Sequence, residues 1–166
     1  SGQAANAFAM LAVLRAGDRV LLPDTCYGPT RDLAQTDLPA LGIVAEFYDP
    51  TDLSALDRRA AGARLIWAES PGSLTLEMQD IPAIVAIARR HGALTGCDNT
   101  WASPLNFRPL DHGVDLVAEA LSKHFGGHSD LLMGAVTAAD AELGLRLKAQ
   151  MGRFGIGVSP DDVALV

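Results

Sequence analysis

The feature of this sequence that most constrains its fold is an alternation of short apolar segments with longer segments of helical periodicity. The short segments are rich in branched residues and predict strands at Arg19–Leu22, Val44–Tyr48, Arg64–Ala68, Ala93–Cys97, Leu116–Ala118 and Leu131–Thr137. The longer segments predict helices at Gln3–Arg15, Pro29–Leu38, Leu53–Ala60, Ile81–His91 and Ala141–Met151. Helices between continuous apolar strands indicate an α/β fold in which helices cover both faces of a mostly parallel sheet.

Composition and charge limit the classes of partner. The 166 residues are 49% hydrophobic and 20% charged, which is the balance of a globular domain with a sizeable core. The formal net charge is −7 and no Lys/Arg-rich run occurs, which argues against a nucleic-acid partner. No segment approaches the roughly 18 apolar residues of a membrane span. The sequence therefore predicts a small-molecule partner, with no nucleic acid and no membrane.

The cysteine and histidine spacing predicts no metal site. Cys26 and Cys97 lie far apart in the sequence, and they are consistent with buried or free thiols in a reducing cytoplasm. His124 and His128 are four residues apart and would share a helix face, but Gly126 and Gly127 between them disfavour a helix.

Polar residues follow several of the predicted strands, where parallel sheets concentrate their function. Asp98 ends an apolar strand, so it is either a turn cap or a buried carboxylate that needs a cationic partner such as a pyridinium nitrogen. Lys123 lies between apolar segments beyond another strand. A lone lysine is commonly a solvated surface charge, whereas one among apolar groups can act as a nucleophile.

Two weaker signals occur nearer the start of the chain. Ser1-Gly2-Gln3 opens the first predicted helix, where free backbone amides can bind a phosphate, although Ser1 is also an ordinary helix cap. Tyr27 lies in a turn, where it can stack on a flat ring or be a partly buried aromatic residue. The glycine-rich loops of dinucleotide and nucleoside-triphosphate sites and the nucleophile elbow of hydrolases do not occur.

In this order, these residues resemble the Cys/Met metabolism family of pyridoxal 5′-phosphate (PLP) enzymes, which has the aspartate-aminotransferase-like fold. The matching segments are Ser1-Gly2, Ala16–Val20, Tyr27–Thr30, Glu69–Ser73, Asp98–Trp101, Ser122-Lys123 and Gly127–Asp130. The resemblance implies a three-layer αβα large domain with a mostly parallel, mixed sheet across residues 1–166. It also implies that the family's N-terminal arm and C-terminal small domain lie outside this sequence.

The resemblance assigns a role to each candidate residue. Lys123 would be the Schiff-base lysine and would then transfer protons. Asp98 would pair with the pyridinium nitrogen, and Tyr27 would stack on the ring and assist proton transfer. The remaining cofactor ligands would hold the phosphate through backbone amides or a hydroxyl, and they are Gly2, Gln3 and Ser122.

The implied activity is that of a carbon–sulfur lyase for a sulfur amino acid, in a homo-oligomer that is a homotetramer at full length. The segment Glu69–Glu77, Trp101 and Ala120 resemble β-eliminating members, because many γ-acting members carry Phe in place of Trp101 and Ser in place of Ala120. Ala120 also removes one possible phosphate-binding hydroxyl. Two alternatives stay open, namely a γ-acting relative and a noncatalytic α/β binding module.

Overall fold

A computed structural model describes residues 1–166 and contains one six-stranded sheet. The strands are β1 (Arg19–Pro23), β2 (Val44–Tyr48), β3 (Leu65–Glu69), β4 (Leu94–Asp98), β5 (Leu116–Ala120) and β6 (Gly134–Ala138). Their order across the sheet is β2-β1-β3-β4-β5-β6. All neighbours are parallel except β5 and β6, which are antiparallel. The predicted mostly parallel, mixed sheet is confirmed.

Eight α-helices and one 3-10 helix (Pro109–His112) connect or follow the strands. The α-helices are α1 (Gly2–Val13), α2 (Gly28–Gln35), α3 (Asp37–Ala40), α4 (Leu53–Arg59), α5 (Ile81–His91), α6 (Ser103–Asn106), α7 (Ala141–Arg153) and α8 (Pro160–Leu165). Aspartate side chains cap the first turns of three of them, at Asp52, Asp80 and Asp140. Gly92 follows the last residue of α5, and its left-handed conformation favours glycine.

Each face of the sheet has its own core, because alternate strand residues point to opposite sides. On one face, Leu22 and Trp67 belong to a cluster that also contains residues of α1, α2 and α7. On the other face, Leu21 and Ile66 belong to a cluster with residues of α4 and α5. This arrangement is the predicted three-layer αβα architecture. No helix is both long enough and apolar enough to cross a membrane.

The boundaries differ from the prediction in two informative places. The helix predicted at Pro29–Leu38 is divided, with α2 ending at Gln35 and α3 starting at Asp37. Pro39 explains the break, because in a continuous helix its ring would clash with the carbonyl of Gln35. The strand predicted at Leu131–Thr137 starts only at Gly134, since Leu131 and Met133 pack with Leu121 in a separate small cluster. The sequence did not predict α6 and the 3-10 helix.

Candidate active site at the carboxyl edge of the sheet

A cleft of about 790 Å³ opens where β3, β4 and β5 end and helix α1 begins. Residues from several separate segments of the chain line it, because the carboxyl ends of parallel strands meet at one edge of a sheet. All of the site residues predicted from the sequence line this cleft, namely Gly2, Gln3, Tyr27, Asp98, Ser122 and Lys123. The structure therefore brings the predicted set together, although their roles stay predictions.

Close packing at two glycines fixes the start of α1 against the sheet. A Cβ atom on Gly2 would lie 2.4 Å from the Cβ of Ala120, at the end of β5. A Cβ atom on Gly134, at the start of β6, would lie 2.3 Å from the carbonyl oxygen of Ser1. Such distances are far below van der Waals contact, so any larger residue would push the helix away from the sheet.

The first turn of α1 has backbone donors left for a ligand. Ser1 satisfies two amides, because its hydroxyl accepts from the Ala4 N–H at 3.2 Å and its carbonyl from the Ala5 N–H at 3.1 Å. The amides of Gly2 and Gln3 have no acceptor within the helix, as is general for a first turn. Both residues line the cleft. Together with the positive end of the helix dipole, these donors suit an anionic group.

Asp98 is the last residue of β4, and its side chain is 8% exposed. One carboxylate oxygen, Oδ1, accepts from the backbone N–H of Thr100 at 2.9 Å, which is a turn cap. The other, Oδ2, accepts from the side-chain amide of Asn6 at 2.7 Å. The two alternatives that the sequence left open are therefore compatible, because Asp98 is both a turn cap and a buried carboxylate facing the cleft.

Glu69 ends β3 directly beside Asp98 and is also buried. Burial, and then the negative charge of Asp98, raise the pKa of Glu69 to about 7. Its carboxylate accepts hydrogen bonds from the Tyr27 N–H at 2.8 Å and from the Ser73 hydroxyl. These two hydrogen bonds lower the pKa of Glu69 and so oppose part of the increase. Glu69 therefore connects the end of β3 to the turn that carries Tyr27.

Lys123 and Tyr27 are the exposed members of the site. Lys123 lies in the turn after β5, where its N–H donates to the Ala120 carbonyl at 3.0 Å and its carbonyl accepts from the Gly127 N–H at 2.8 Å. Its amine forms no ion pair, so the side chain is free to reach into the cleft. Tyr27 is 44% exposed, which leaves much of its side chain available to a ligand. Ser122 is half-buried beside Lys123.

Both cysteines are free and buried, as the sequence predicted. Burial, and then the charge of Glu69, raise the pKa of the Cys26 thiol to about 12. Burial also raises the pKa of Cys97 well above its ordinary value. Neither thiol lines the cleft, and both stay protonated near neutral pH, so neither is a nucleophile for this site.

Among the cleft residues outside the predicted site, Asn6 and Glu69 make the hydrogen bonds that organise it. In the sequence, Glu69 belongs to a segment that resembles the family, with no signal for a role of its own. Asn6 carried a signal that was missed, because it is the one polar member of the buried face of α1 with Ala9, Met10 and Val13. A polar side chain in an apolar stripe at helical spacing requires a buried partner, and that partner here is Asp98.

The chemistry of the lining groups fits pyridoxal phosphate. That cofactor has an anionic phosphate, a ring nitrogen that carries positive charge when protonated, and an aldehyde that reacts with a lysine amine. The cleft presents first-turn amides at Gly2 and Gln3, a buried carboxylate at Asp98 and an unpaired amine at Lys123. The close packing of Gly2 against Ala120 holds these first-turn amides at the end of β5.

Known proteins resemble this chain over nearly its whole length. It is 48% identical to the "Putative cystathionine beta-lyase" of Rhizobium johnstonii, over 98% of this chain and 41% of the relative. It is 41% identical to the "L-alanine/L-glutamate racemase" of Wolbachia pipientis wMel, over 99% of this chain and 40% of the relative. The crystal structure of cystathionine γ-lyase from Lactobacillus plantarum complexed with L-serine matches with a TM-score of 0.95 and 32% identity, over 99% of this chain and 43% of that one.

The chain spans about two fifths of the length of these relatives. The family model for Cys/Met metabolism PLP-dependent enzymes matches residues 1–166, which confirms the predicted cofactor class. Fold, cleft and sequence similarity agree, and this chain belongs to the Cys/Met metabolism PLP-dependent enzyme family.

Proposed function

We propose that the full-length enzyme is a PLP-dependent carbon–sulfur β-lyase that cleaves cystathionine to homocysteine, pyruvate and ammonia. The observation that carries this proposal is the meeting of Asp98, Lys123 and the first turn of α1 in one cleft. The similarity to a relative named as a cystathionine beta-lyase, at 48% identity, supports the choice of reaction.

The cofactor, when bound, supplies an electron sink that stabilises negative charge developing at the substrate Cα. The carboxylate of Asp98 favours a proton on the ring nitrogen, because its low-dielectric surroundings strengthen attraction to a cation. The amides of Gly2 and Gln3, with the hydroxyl of Ser122, hold the phosphate. These groups fix the cofactor at the carboxyl edge of the sheet.

Lys123 has two tasks in this proposal. Its amine would hold the cofactor in the resting enzyme, and after the substrate amine takes its place it would be the base that accepts the proton from the substrate Cα. Over the whole reaction, cystathionine and one water would give homocysteine, pyruvate and ammonia. Tyr27 would contact the cofactor ring, and its phenol would assist these proton transfers. Both Lys123 and Tyr27 are exposed, which is consistent with direct contact with cofactor and substrate.

Trp101 supports the choice of β-elimination over γ-elimination, because many γ-acting family members carry Phe at this position. It lines the same cleft and is half exposed, so it can contact a substrate side chain. The relatives include a γ-lyase and a racemase, and all three reactions start by removal of the Cα proton. After that step, β-elimination loses a group from Cβ, γ-elimination loses a group from Cγ, and racemisation returns a proton to Cα. The products therefore distinguish the three reactions.

The test is product analysis with the full-length holoenzyme. Pyruvate from L-cystathionine supports β-elimination, whereas 2-oxobutyrate would indicate the γ-acting alternative. Conversion of L-alanine to D-alanine without keto acid would indicate a racemase. A protein that gains no visible Schiff-base absorbance on addition of PLP would be a noncatalytic binding module, and this would contradict the proposal as a whole.

We also propose that residues 1–166 form most of the large PLP-binding domain of a cytoplasmic homotetramer. The exposed apolar side chains of Leu74, Trp101 and Leu132 at the cleft support association with further protein surface. The two free, buried thiols are consistent with a reducing compartment. Light scattering on the full-length protein measures the oligomer directly.

A further inference from the structure

Asn6 makes the only side-chain hydrogen bond to the carboxylate of Asp98. It lies on α1, is 1% exposed and lines the cleft. Its amide nitrogen, Nδ2, is 2.7 Å from Oδ2 of Asp98 and 3.1 Å from the hydroxyl of Thr30. The amide oxygen of Asn6 has no partner. A buried polar group that leaves one of its own atoms unpaired needs a reason for its orientation.

The hydrogen-bond chain beyond Thr30 supplies that reason. The carbonyl of Pro29 can only accept, so the Gln3 atom that faces it at 3.0 Å is the amide nitrogen. The Gln3 oxygen therefore faces Thr30 and takes its single hydroxyl hydrogen at 2.8 Å. The Thr30 oxygen is left as an acceptor, and Asn6 must present its nitrogen to it. The second hydrogen of the same nitrogen then points to Asp98.

The fixed donor matters because acidic groups surround Asp98. Burial, and then the charge of Asp98, raise the pKa of Glu69 on β3. Burial also raises the pKa of Glu119 on β5, where the hydrogen bond from Asn99 opposes the shift and the charge of Asp98 adds a smaller contribution to it. Burial, and then the charge of Asp98, raise the pKa of the Cys97 thiol. No Lys, Arg or His forms an ion pair with Asp98. Apart from the Thr100 amide, Asn6 is the only hydrogen-bond donor to the carboxylate of Asp98.

We propose that Asn6 is a positioning residue that keeps the carboxylate of Asp98 directed at the cofactor ring nitrogen, with Thr30 and Gln3 fixing the orientation of the Asn6 amide. This inference rests on the proposed pairing of Asp98 with that nitrogen. It assigns Asn6 no contact with substrate, and its effect passes through Asp98 alone.

The test replaces Asn6 in the full-length holoenzyme and measures the protonation of the cofactor ring nitrogen directly. Asn6→Leu retains the approximate volume and removes the donor. We expect the ¹⁵N resonance of ring-labelled PLP to move toward the position of an unprotonated pyridine. We also expect PLP to dissociate about tenfold more readily, since a hydrogen bond to a charged group is lost. An unchanged resonance and an unchanged dissociation constant would overturn the inference.

Two further variants separate positioning from packing. Asn6→Ala serves if Asn6→Leu does not fold, because alanine favours a helix and leaves no clash. Gln150→Leu is the matched control, since Gln150 is a buried amide on another helix outside the cleft. We expect Asn6→Ala to move the resonance in the same direction and Gln150→Leu to leave it in place. An equal shift in the control would overturn the inference.

A double-mutant comparison tests whether the effect passes through Asp98. In an Asp98→Asn background the carboxylate is already absent, so Asn6→Leu should weaken PLP binding no further. If Asn6 had only a structural role, Asn6→Leu would weaken PLP binding by the same factor in the parent and in Asp98→Asn. That result would refute the positioning role. Failure of the parent protein to form any Schiff base would instead contradict the proposed function. The two failures are therefore distinguishable.

Discussion

Two aspartates at opposite ends of β4 show how the two edges of this sheet differ. Asp115 lies before β5 at the amino edge, and one of its oxygens accepts from both the backbone N–H and the hydroxyl of Thr95, at 2.7 and 2.9 Å. Asp98 lies at the carboxyl edge, and its side-chain donor, Asn6, comes from a distant part of the chain. The amino-edge aspartate joins two adjacent strands, whereas the carboxyl-edge aspartate depends on the packing of a helix and faces a cleft.

The difference extends to the neighbours of each aspartate. At the carboxyl edge, Glu69 lies next to Asp98, and burial, followed by the negative charge of Asp98, raises the pKa of Glu69 to about 7. A sheet needs no such pair for its hydrogen bonding, and the arrangement opposes stability when both groups are charged. Perturbed carboxylates in a cleft are typical of functional sites. The comparison teaches that the amino edge serves folding and the carboxyl edge serves binding.

The largest expected effect is at Lys123. Lys123→Ala in the full-length enzyme should lower turnover by at least about 10³-fold, because both the covalent bond to the cofactor and the proton acceptor are lost. Borohydride reduction of the parent followed by peptide mapping should place the label on Lys123. The only other lysine of this sequence is Lys148 on α7. Label on Lys148 would place the reactive site away from the carboxyl edge and break the comparison.

The next effect is expected at Asp98. Asp98→Asn should lower turnover roughly 10²- to 10³-fold, because a neutral amide no longer favours a proton on the ring nitrogen. The free energy of unfolding should change by less than about 1 kcal/mol, since Asn can still accept from Thr100. Steady-state kinetics and denaturant unfolding measure the two quantities. A variant with parental turnover would make Asp98 a turn cap of the same kind as Asp115.

Much of the fold and part of the site were predictable from local pattern. Strands β1 to β5 start within one residue of their predicted positions, because short apolar runs between turn residues have few alternatives. Asp98 and Lys123 were predictable because they follow strands, and parallel strands end at one edge. No motif contains Asn6, and its bond to Asp98 requires the rotation of α1 that close packing at Gly2 and Gly134 sets. The pKa of Glu69 depends on burial, which a sequence does not give.

Glu69 gives a smaller effect that depends on pH. The folded-state pKa is about 7 against an ordinary value of 4.5, so between these values the folded protein holds a proton that the unfolded chain has released. Raising the pH through this window therefore removes stability, roughly 3 kcal/mol in total. Glu69→Gln cannot ionise, so the apo variant should gain stability relative to the apo parent as the pH rises from 5 to 8. Denaturant unfolding curves of both apo proteins at pH 5 and at pH 8 measure this difference. If the free energy of unfolding changed equally with pH in the two proteins, the prediction would be contradicted.

The smallest effect is expected at Asp115, and it completes the comparison. Asp115→Ala removes the acceptor for the Thr95 N–H and hydroxyl, so the free energy of unfolding should fall by about 1 to 2 kcal/mol. Asp115 does not line the cleft, and the strands that it joins remain paired through their backbones. The holoenzyme should therefore keep its Schiff-base absorbance and its turnover per folded molecule. Asp98→Asn is the matched variant with the opposite expected pattern, lost turnover with retained stability. If Asp115→Ala lowered turnover in the folded holoenzyme as much as Asp98→Asn does, the two edges would share the chemistry, and the division between a folding edge and a binding edge would be wrong.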